Sequence, residues 1–196
     1  MNLPNKLSLM RICLVPVIAV IYLIAAMSDL LQGSFTIITI ELPYSDVIVF
    51  VLFAIASITD FLDGHIARRD HLITSFGKFI DPIADKMLVN TLLVLFAWSS
   101  RISIIAVLLM ILRDTIVDGL RMNAAASGKV VAAGYAGKVK TVLQMLMIIF
   151  VLLHDLPFAL LGIDVSVVLV WMATAASLYS GVLYFIQLKD IVMETM

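Results

Sequence analysis

Residues 59–86 read TDFLDGHIARRDHLITSFGKFIDPIADK. Asp60 and Asp63 stand three residues apart, Asp81 and Asp85 four apart, and eighteen positions separate Asp63 from Asp81. On a helix, intervals of three and four place side chains on one face about a turn apart. Gly64 and Ala67 follow the first pair, and Gly77 precedes the second by one helical turn, so small residues line the same stripes. Two antiparallel helices joined by a short turn therefore aim four carboxylates into one volume. Asp70, in the turn, and His65, off the aspartate face, fall outside that register.

The surroundings of this stretch are unusually apolar. Hydrophobic residues make up 63% of the 196-residue chain and charged residues 14%, with a mean hydropathy of +1.13. Soluble domains carry about 25% charged residues, so a water-soluble globule is excluded. The apolar runs are continuous, which excludes the short alternating segments of a transmembrane barrel. The class expected is all-α: a polytopic membrane protein. Nothing in the composition points to nucleic acid. The single cysteine, Cys13, rules out an internal disulfide and reads as a buried small hydrophobe. The first apolar run is longer than a signal-peptide core, and IAAMSD is a poor cleavage site, so that run is expected to stay.

About 20 helical residues cross a hydrocarbon core. Six segments meet that length, roughly 7–27, 45–62, 80–99, 102–123, 139–156 and 164–187, giving a six-helix bundle within one domain, 1–196. The mixed stretch from Ser28 to Tyr44 is expected to pack as a loop on the outer face. Lys6, Arg11, Arg68, Arg69, Lys78, Lys86, Arg121, Lys129, Lys138, Lys140 and Lys189 gather at one end of the predicted spans. Only Arg101 lies in a loop at the other end, beside Asp29, Glu41, Asp46, Asp155 and Asp164. Positive residues stay cytoplasmic, which puts both termini and the aspartate stretch in the cytoplasm.

Four carboxylates facing one another repel, and each is costly at membrane depth. Cations are the simplest compensation, and hard oxygen ligands suit Mg2+ or Mn2+. Paired ions held by shared carboxylates recur in phosphoryl chemistry. Pairing with Arg68, Arg69, Lys78 and Lys86 at solvated helix ends would explain one aspartate, but not four in facial register.

The pattern D60-x2-D63-G64-x2-A67-R68-x8-G77-x3-D81-x3-D85 resembles the full signature of the CDP-alcohol phosphotransferase family. That resemblance implies a six-helix membrane enzyme, usually a homodimer, in which an alcohol acceptor displaces CMP from a CDP-linked donor with the help of two divalent ions. It implies Asp60, Asp63, Asp81 and Asp85 as metal ligands, with Asp85 also the base. It further implies Thr59, Asp63, Gly64, Ala67, Arg68 and Gly77 around the CDP moiety.

The acceptor must be read elsewhere, in RDTIVDGLRMNAAASGK and AGKVKT. Arg113 falls inside the fourth span, where an arginine is a functional candidate by default. Arg121 lies at that span's cytoplasmic end, eight residues on and expected on a similar face, and Lys138 and Lys140 open the fifth. Such cations suit an acceptor bearing its own phosphate, whereas ordinary flanking charge, or pairing of Arg113 with Asp114 or Asp118, is the plainer explanation. The opening NLPNKLSLMRICLVP, the GLR around Arg121 and GKVKT resemble the branch of the family that joins CDP-diacylglycerol to sn-glycerol 3-phosphate for phospholipid biosynthesis. Many family members carry Glu where Asp114 stands, so Asp114 receives no role here. Asn5 and Arg11 belong to the opening motif, either packing on the site or anchoring the interface.

Three other readings compete. Cardiolipin synthases of the CDP-diacylglycerol type share the opening and the basic residues but need a wider acceptor pocket. Intramembrane prenyltransferases use two separated aspartate motifs and leave DGxxAR unexplained. A transporter would place its charges near the midplane, often with repeat symmetry, and no repeat is visible here.

Overall fold

The computed structural model describes residues 2–28, 33–69, 74–126 and 134–194; side chains within them that lie outside the described set include those of Asp63, His65, Ala67, Arg68 and Lys78, and Asp70 and Lys129 lie outside it entirely. Among the described residues there are six long helices: α1 (Leu3–Met27), α2 (Tyr44–Arg69), α3 (Ser75–Trp98), α4 (Ile104–Ala126), α5 (Tyr135–Leu152) and α6 (Val165–Glu194). The helices overlap all six expected spans.

Between α1 and α2 the chain forms an antiparallel hairpin, β1 (Ser34–Ile37) with β2 (Ile40–Pro43), pairing Ser34 with Pro43 and Ile37 with Ile40. Sequence reading expected a loop there. The β-branched run FTIITI favours extended backbone, and Phe35 packs edge-on against Tyr44 at 4.5 Å to close the hairpin on α2. So short a pair of strands gives no periodic signal distinguishable from a mixed loop.

α1 packs on α2 and α3, while α4 and α5 pack on α6. The two groups of helices meet where α3 touches α4 and where α5 touches α2 and α3. Ile18, Val49, Phe53, Leu92, Phe96, Met110, Met147 and Ile148 fill the shared core. Small residues on α6 allow close approach: Ala173, Ser177 and Ser180 are fully buried, within the chain rather than between copies. The outer shell is apolar, with Val20, Ile58, Leu112, Val167 and Phe185 exposed, as befits a protein whose solvent is lipid. Cys13 belongs to that shell. It is exposed rather than buried, because α1 turns Asn5, Ser8, Arg11, Val15 and Ile18 inward and Cys13 lies on the other side.

Among the described residues, four helices are long and apolar enough to cross a membrane: Asn5–Met27, Tyr44–Leu62, Tyr135–Leu152 and Val165–Lys189. α3 and α4 match them in length but carry Asp81, Asp85, Lys86, Arg113, Asp114 and Asp118. The charges that lower their hydropathy are the ones that build the site below. The protein is an all-α membrane protein.

At the end of the bundle opposite the aspartates, buried Asp46 at the start of α2 accepts from Arg101 at 2.8 Å and pairs with His154 at 2.7 Å. Arg101 also donates to the Val151 carbonyl. Next to His154, Asp155 caps α6 by accepting from the Ser166 amide at 2.6 Å. Asp46 thus ties α2 to the α3–α4 link and to the end of α5. Removing one partner of a fully buried pair costs about 3–5 kcal/mol, and Arg101 and His154 retain some solvent. Asp46→Ala is therefore expected to cost about 2–3 kcal/mol, lowering the apparent melting midpoint in detergent by about 4–12 °C. An unchanged midpoint would remove the clasp from the account of stability.

Candidate active site

α2 carries Asp60 toward its C-terminal end and α3 carries Asp81 and Asp85 in its first three turns, and these three carboxylates do converge. The convergence is organised by a third helix. Arg11 of α1 is 1% exposed, and one of its terminal nitrogens donates both to Asp60 and, at 2.5 Å, to Asp85. Its other terminal nitrogen lies 4.0 Å from Asp81. One turn earlier on α1, the Ser8 hydroxyl donates to Asp81. Two carboxylate oxygens sharing one nitrogen are no more than about 5 Å apart. That closeness, with anionic oxygens only, fits a hard divalent cation. Among the described residues, no three His, Cys, Asp or Glu side chains ligate an ion as they stand; the guanidinium fills the volume between them.

A turn further back, Asn5 anchors α1 to the start of α3. Thr74 caps α3 by accepting the Gly77 amide at 3.0 Å, and its own hydroxyl donates to the Asn5 side-chain oxygen at 3.0 Å. A Cβ on Gly77 would stand 3.0 Å from that Asn5 oxygen and 3.3 Å from the Thr74 hydroxyl. The missing side chain of Gly77 is therefore used by α1, whatever a ligand makes of it. Gly77→Ala is expected to push Asn5 aside and lower thermal stability by about 1 kcal/mol. Combining it with Asn5→Ala should recover part of the loss; a loss unchanged by Asn5→Ala would place the strain elsewhere.

Arg11, Asn5 and Ser8 were thus under-read or missed in the sequence. Their signal is the polar series at positions 5, 8 and 11 of a largely apolar helix, spaced to share one face. Thr59 turns its hydroxyl back to the Ile55 carbonyl, so its hydroxyl is already committed within α2. Gly64 is half-buried in the same helix. The side chains of Asp63, Ala67 and Arg68 lie outside the described residues, although their backbone continues α2.

The basic residues form a second cluster, between α4, α5 and α6. Asp114 is buried and divides its carboxylate: one oxygen accepts from Arg113 at 2.8 Å and the other from Lys140. Arg113 also donates to Ser180 on α6 and lies 5.8 Å over the Tyr184 ring. The pairing of Arg113 with Asp114, entertained as its plainer explanation, is realised. Arg121 and Lys138 are exposed and stand outside this cluster. Eight residues turn a helix through about 80° beyond two full turns, which separates Arg121 from the Arg113 face. Lys86, next to Asp85, pairs with Asp118 one turn beyond Asp114, linking the two clusters through the α3–α4 contact.

A profile of the CDP-alcohol phosphatidyltransferase family matches residues 1–179. The chain belongs to that family. Members generally use divalent metal ions, consistent with the donor set gathered on Arg11. The chain is 38% identical over 184 residues to the CDP-diacylglycerol–glycerol-3-phosphate 3-phosphatidyltransferase of Bacillus subtilis, covering 94% of this chain and 93% of that one. A protein of the same name from Rickettsia bellii is 35% identical over 185 residues, covering 94% and 93% of the two chains. The one from Salmonella choleraesuis is 34% identical over 155 residues, covering 77% and 76%. The carboxylate cluster and Arg113, Asp114 and Lys140 fall within the family match, and Ser180 and Tyr184 lie just past its end.

Proposed function

We propose that this phosphatidyltransferase moves the phosphatidyl group of CDP-diacylglycerol to sn-glycerol 3-phosphate, giving phosphatidylglycerophosphate and CMP. The observation that carries the reading is the near full-length similarity to relatives of that name, in a chain that gathers carboxylates on buried Arg11 and sets a basic cluster beside them.

Asp60, Asp63, Asp81 and Asp85 would hold two divalent ions, Mg2+ or Mn2+, and the chemistry these would supply is neutralisation of negative charge on the donor diphosphate and on departing CMP. Thr59, Asp63, Gly64, Ala67 and Gly77 border the CDP moiety, and Arg68 meets the donor phosphates, where a guanidinium fork fits. Arg113 and Lys140, with Arg121 and Lys138 at the rim, take the phosphate of the acceptor. The acceptor hydroxyl oxygen bonds to the phosphorus that carries diacylglycerol, and its proton passes to Asp85. The bond from that phosphorus to the CMP oxygen breaks, and CMP leaves with the electron pair. Six helices span the cell membrane with both termini and the aspartate end facing the cytoplasm, and two copies form a homodimer.

Purified protein supplied with CDP-diacylglycerol and either glycerol 3-phosphate or phosphatidylglycerol tests the reading. Phosphatidylglycerophosphate and CMP should form in equal amounts with the first acceptor. Cardiolipin from the second, with no phosphatidylglycerophosphate from the first, would assign a cardiolipin synthase instead.

A further inference from the structure

The basic cluster contains a carboxylate that the reaction itself does not need. Asp114 is 7% exposed, inside a helix bundle. An isolated carboxylate there is costly, yet it lies between two cations that are themselves nearly as buried. The side chains of Arg113 and Lys140 are 10% and 9% exposed. Adding their charges, +1 and +1, to the −1 of Asp114 leaves the trio at +1, so the group keeps a positive excess for an anion.

The geometry around Arg113 is fixed from several sides. Consecutive helical residues diverge by about 100°, so the 2.8 Å contact with Asp114 requires the arginine stem to fold back along α4. α6 makes room for that fold. A Cβ on Gly181 would stand 2.9 Å from Arg113 Cγ and 3.2 Å from its Nε. Ser180, the residue before, accepts from a terminal nitrogen of the same guanidinium. Tyr184, under the guanidinium, accepts from the Gly134 amide at 2.8 Å and so fixes the entry to α5, which carries Lys140. Among the described residues, Arg113 Nε has no hydrogen-bond partner. A buried donor left unmet is expensive, which argues that the arginine is held here for more than packing.

We propose that Asp114 is the positioning residue of the acceptor site. By giving one oxygen to Arg113 and the other to Lys140, it sets the separation of the two cations that grip the acceptor's phosphate. Ser180 and the bare backbone of Gly181 hold the guanidinium in place from the α6 side. The inference rests on the assignment of Arg113 and Lys140 to that phosphate. The short side chain of Asp114 suits the role, because its carboxylate reaches both cations from within α4.

Steady-state kinetics on the full chain in detergent or nanodiscs provide the test. Asp114→Asn keeps the shape and removes the charge; it should raise KM for glycerol 3-phosphate by about tenfold or more, leaving KM for CDP-diacylglycerol within twofold. Gly181→Ala changes no charge and should move the same KM in the same direction by displacing Arg113. Asp114→Glu should restore most of the affinity lost in Asp114→Asn. Calorimetric titration of glycerol 3-phosphate into wild type and Gly181→Ala supplies a readout independent of turnover, and Gly181→Ala carries the test alone should Asp114→Asn not fold. Folded variants that keep the wild-type KM and binding overturn the positioning role. Arg113→Gln and Lys140→Gln separate the two failures. If they raise that KM while Asp114→Asn and Gly181→Ala do not, only the positioning role is lost. If they leave it unchanged, the acceptor assignment itself is wrong, and the role proposed for Asp114 goes with it.

Discussion

Replacing Asp85 with asparagine is expected to lower kcat by about 10²–10⁴-fold, the usual range for a positioned acid or base, while divalent-ion binding largely survives. Asparagine keeps the size and one carbonyl oxygen but cannot take a proton at physiological pH. The Asp85 oxygen held by Arg11 at 2.5 Å is thereby placed beside Asp60 and Asp81 without being the sole link between them. The contrast is Asp81→Asn, which should lose ion binding and turnover together. Two measurements decide: CMP release from CDP-diacylglycerol with glycerol 3-phosphate, and Mn2+ titration followed by electron paramagnetic resonance. A kcat for Asp85→Asn within a few fold of wild type would send the acceptor proton elsewhere. Loss of Mn2+ binding equal to that of Asp81→Asn would make Asp85 chiefly a ligand.

The aspartates were legible because their message is local. Intervals of three and four report a shared face without knowledge of the fold, and of the four aspartates the three with described side chains, Asp60, Asp81 and Asp85, do converge. What holds them together was hidden by distance along the chain. Arg11 is 49 residues from Asp60 and 74 from Asp85, and Thr74 meets Asn5 across 69 residues. Sequence shows such a residue only as an odd charge in an apolar helix, equally suited to an interfacial anchor.

The basic cluster was half legible for a related reason. Arg113 and Lys140 could be nominated from charge alone, the first as an arginine inside a membrane helix and the second as a lysine in the opening turns of one. Asp114 was one of two partners the sequence offered Arg113, but its link to Lys140 was not visible there. Asp114 follows Arg113 directly, and neighbours on a helix do not ordinarily face each other; only the room left by Gly181 on α6 allows the arginine to fold back. Arg121 shows the opposite limit. Its charge and spacing look equivalent to those of Arg113, but about 80° of helical phase leaves it exposed.

Arg11→Gln is the second large effect. The change leaves Asp60, Asp81 and Asp85 facing one another without the cation that now sits between them. Breaking a fully buried ion pair from one side costs about 3–5 kcal/mol, but the three aspartate side chains are 34%, 43% and 45% exposed. A stability loss of about 2–3 kcal/mol is therefore expected, with kcat down by about 10²-fold as the carboxylates spread from their positions. Arg11→Lys should recover charge but not the fork that reaches two carboxylates at once, giving an intermediate enzyme. A cation that binds the folded state stabilises it by mass action. Saturating Mn2+ should accordingly raise the melting midpoint of Arg11→Gln by more than that of wild type, because it relieves a repulsion the arginine otherwise offsets. Equal Mn2+ shifts in the two proteins, with kcat preserved, would reduce Arg11 to an anchor of α1 and leave the geometry of the aspartates to α2 and α3 alone.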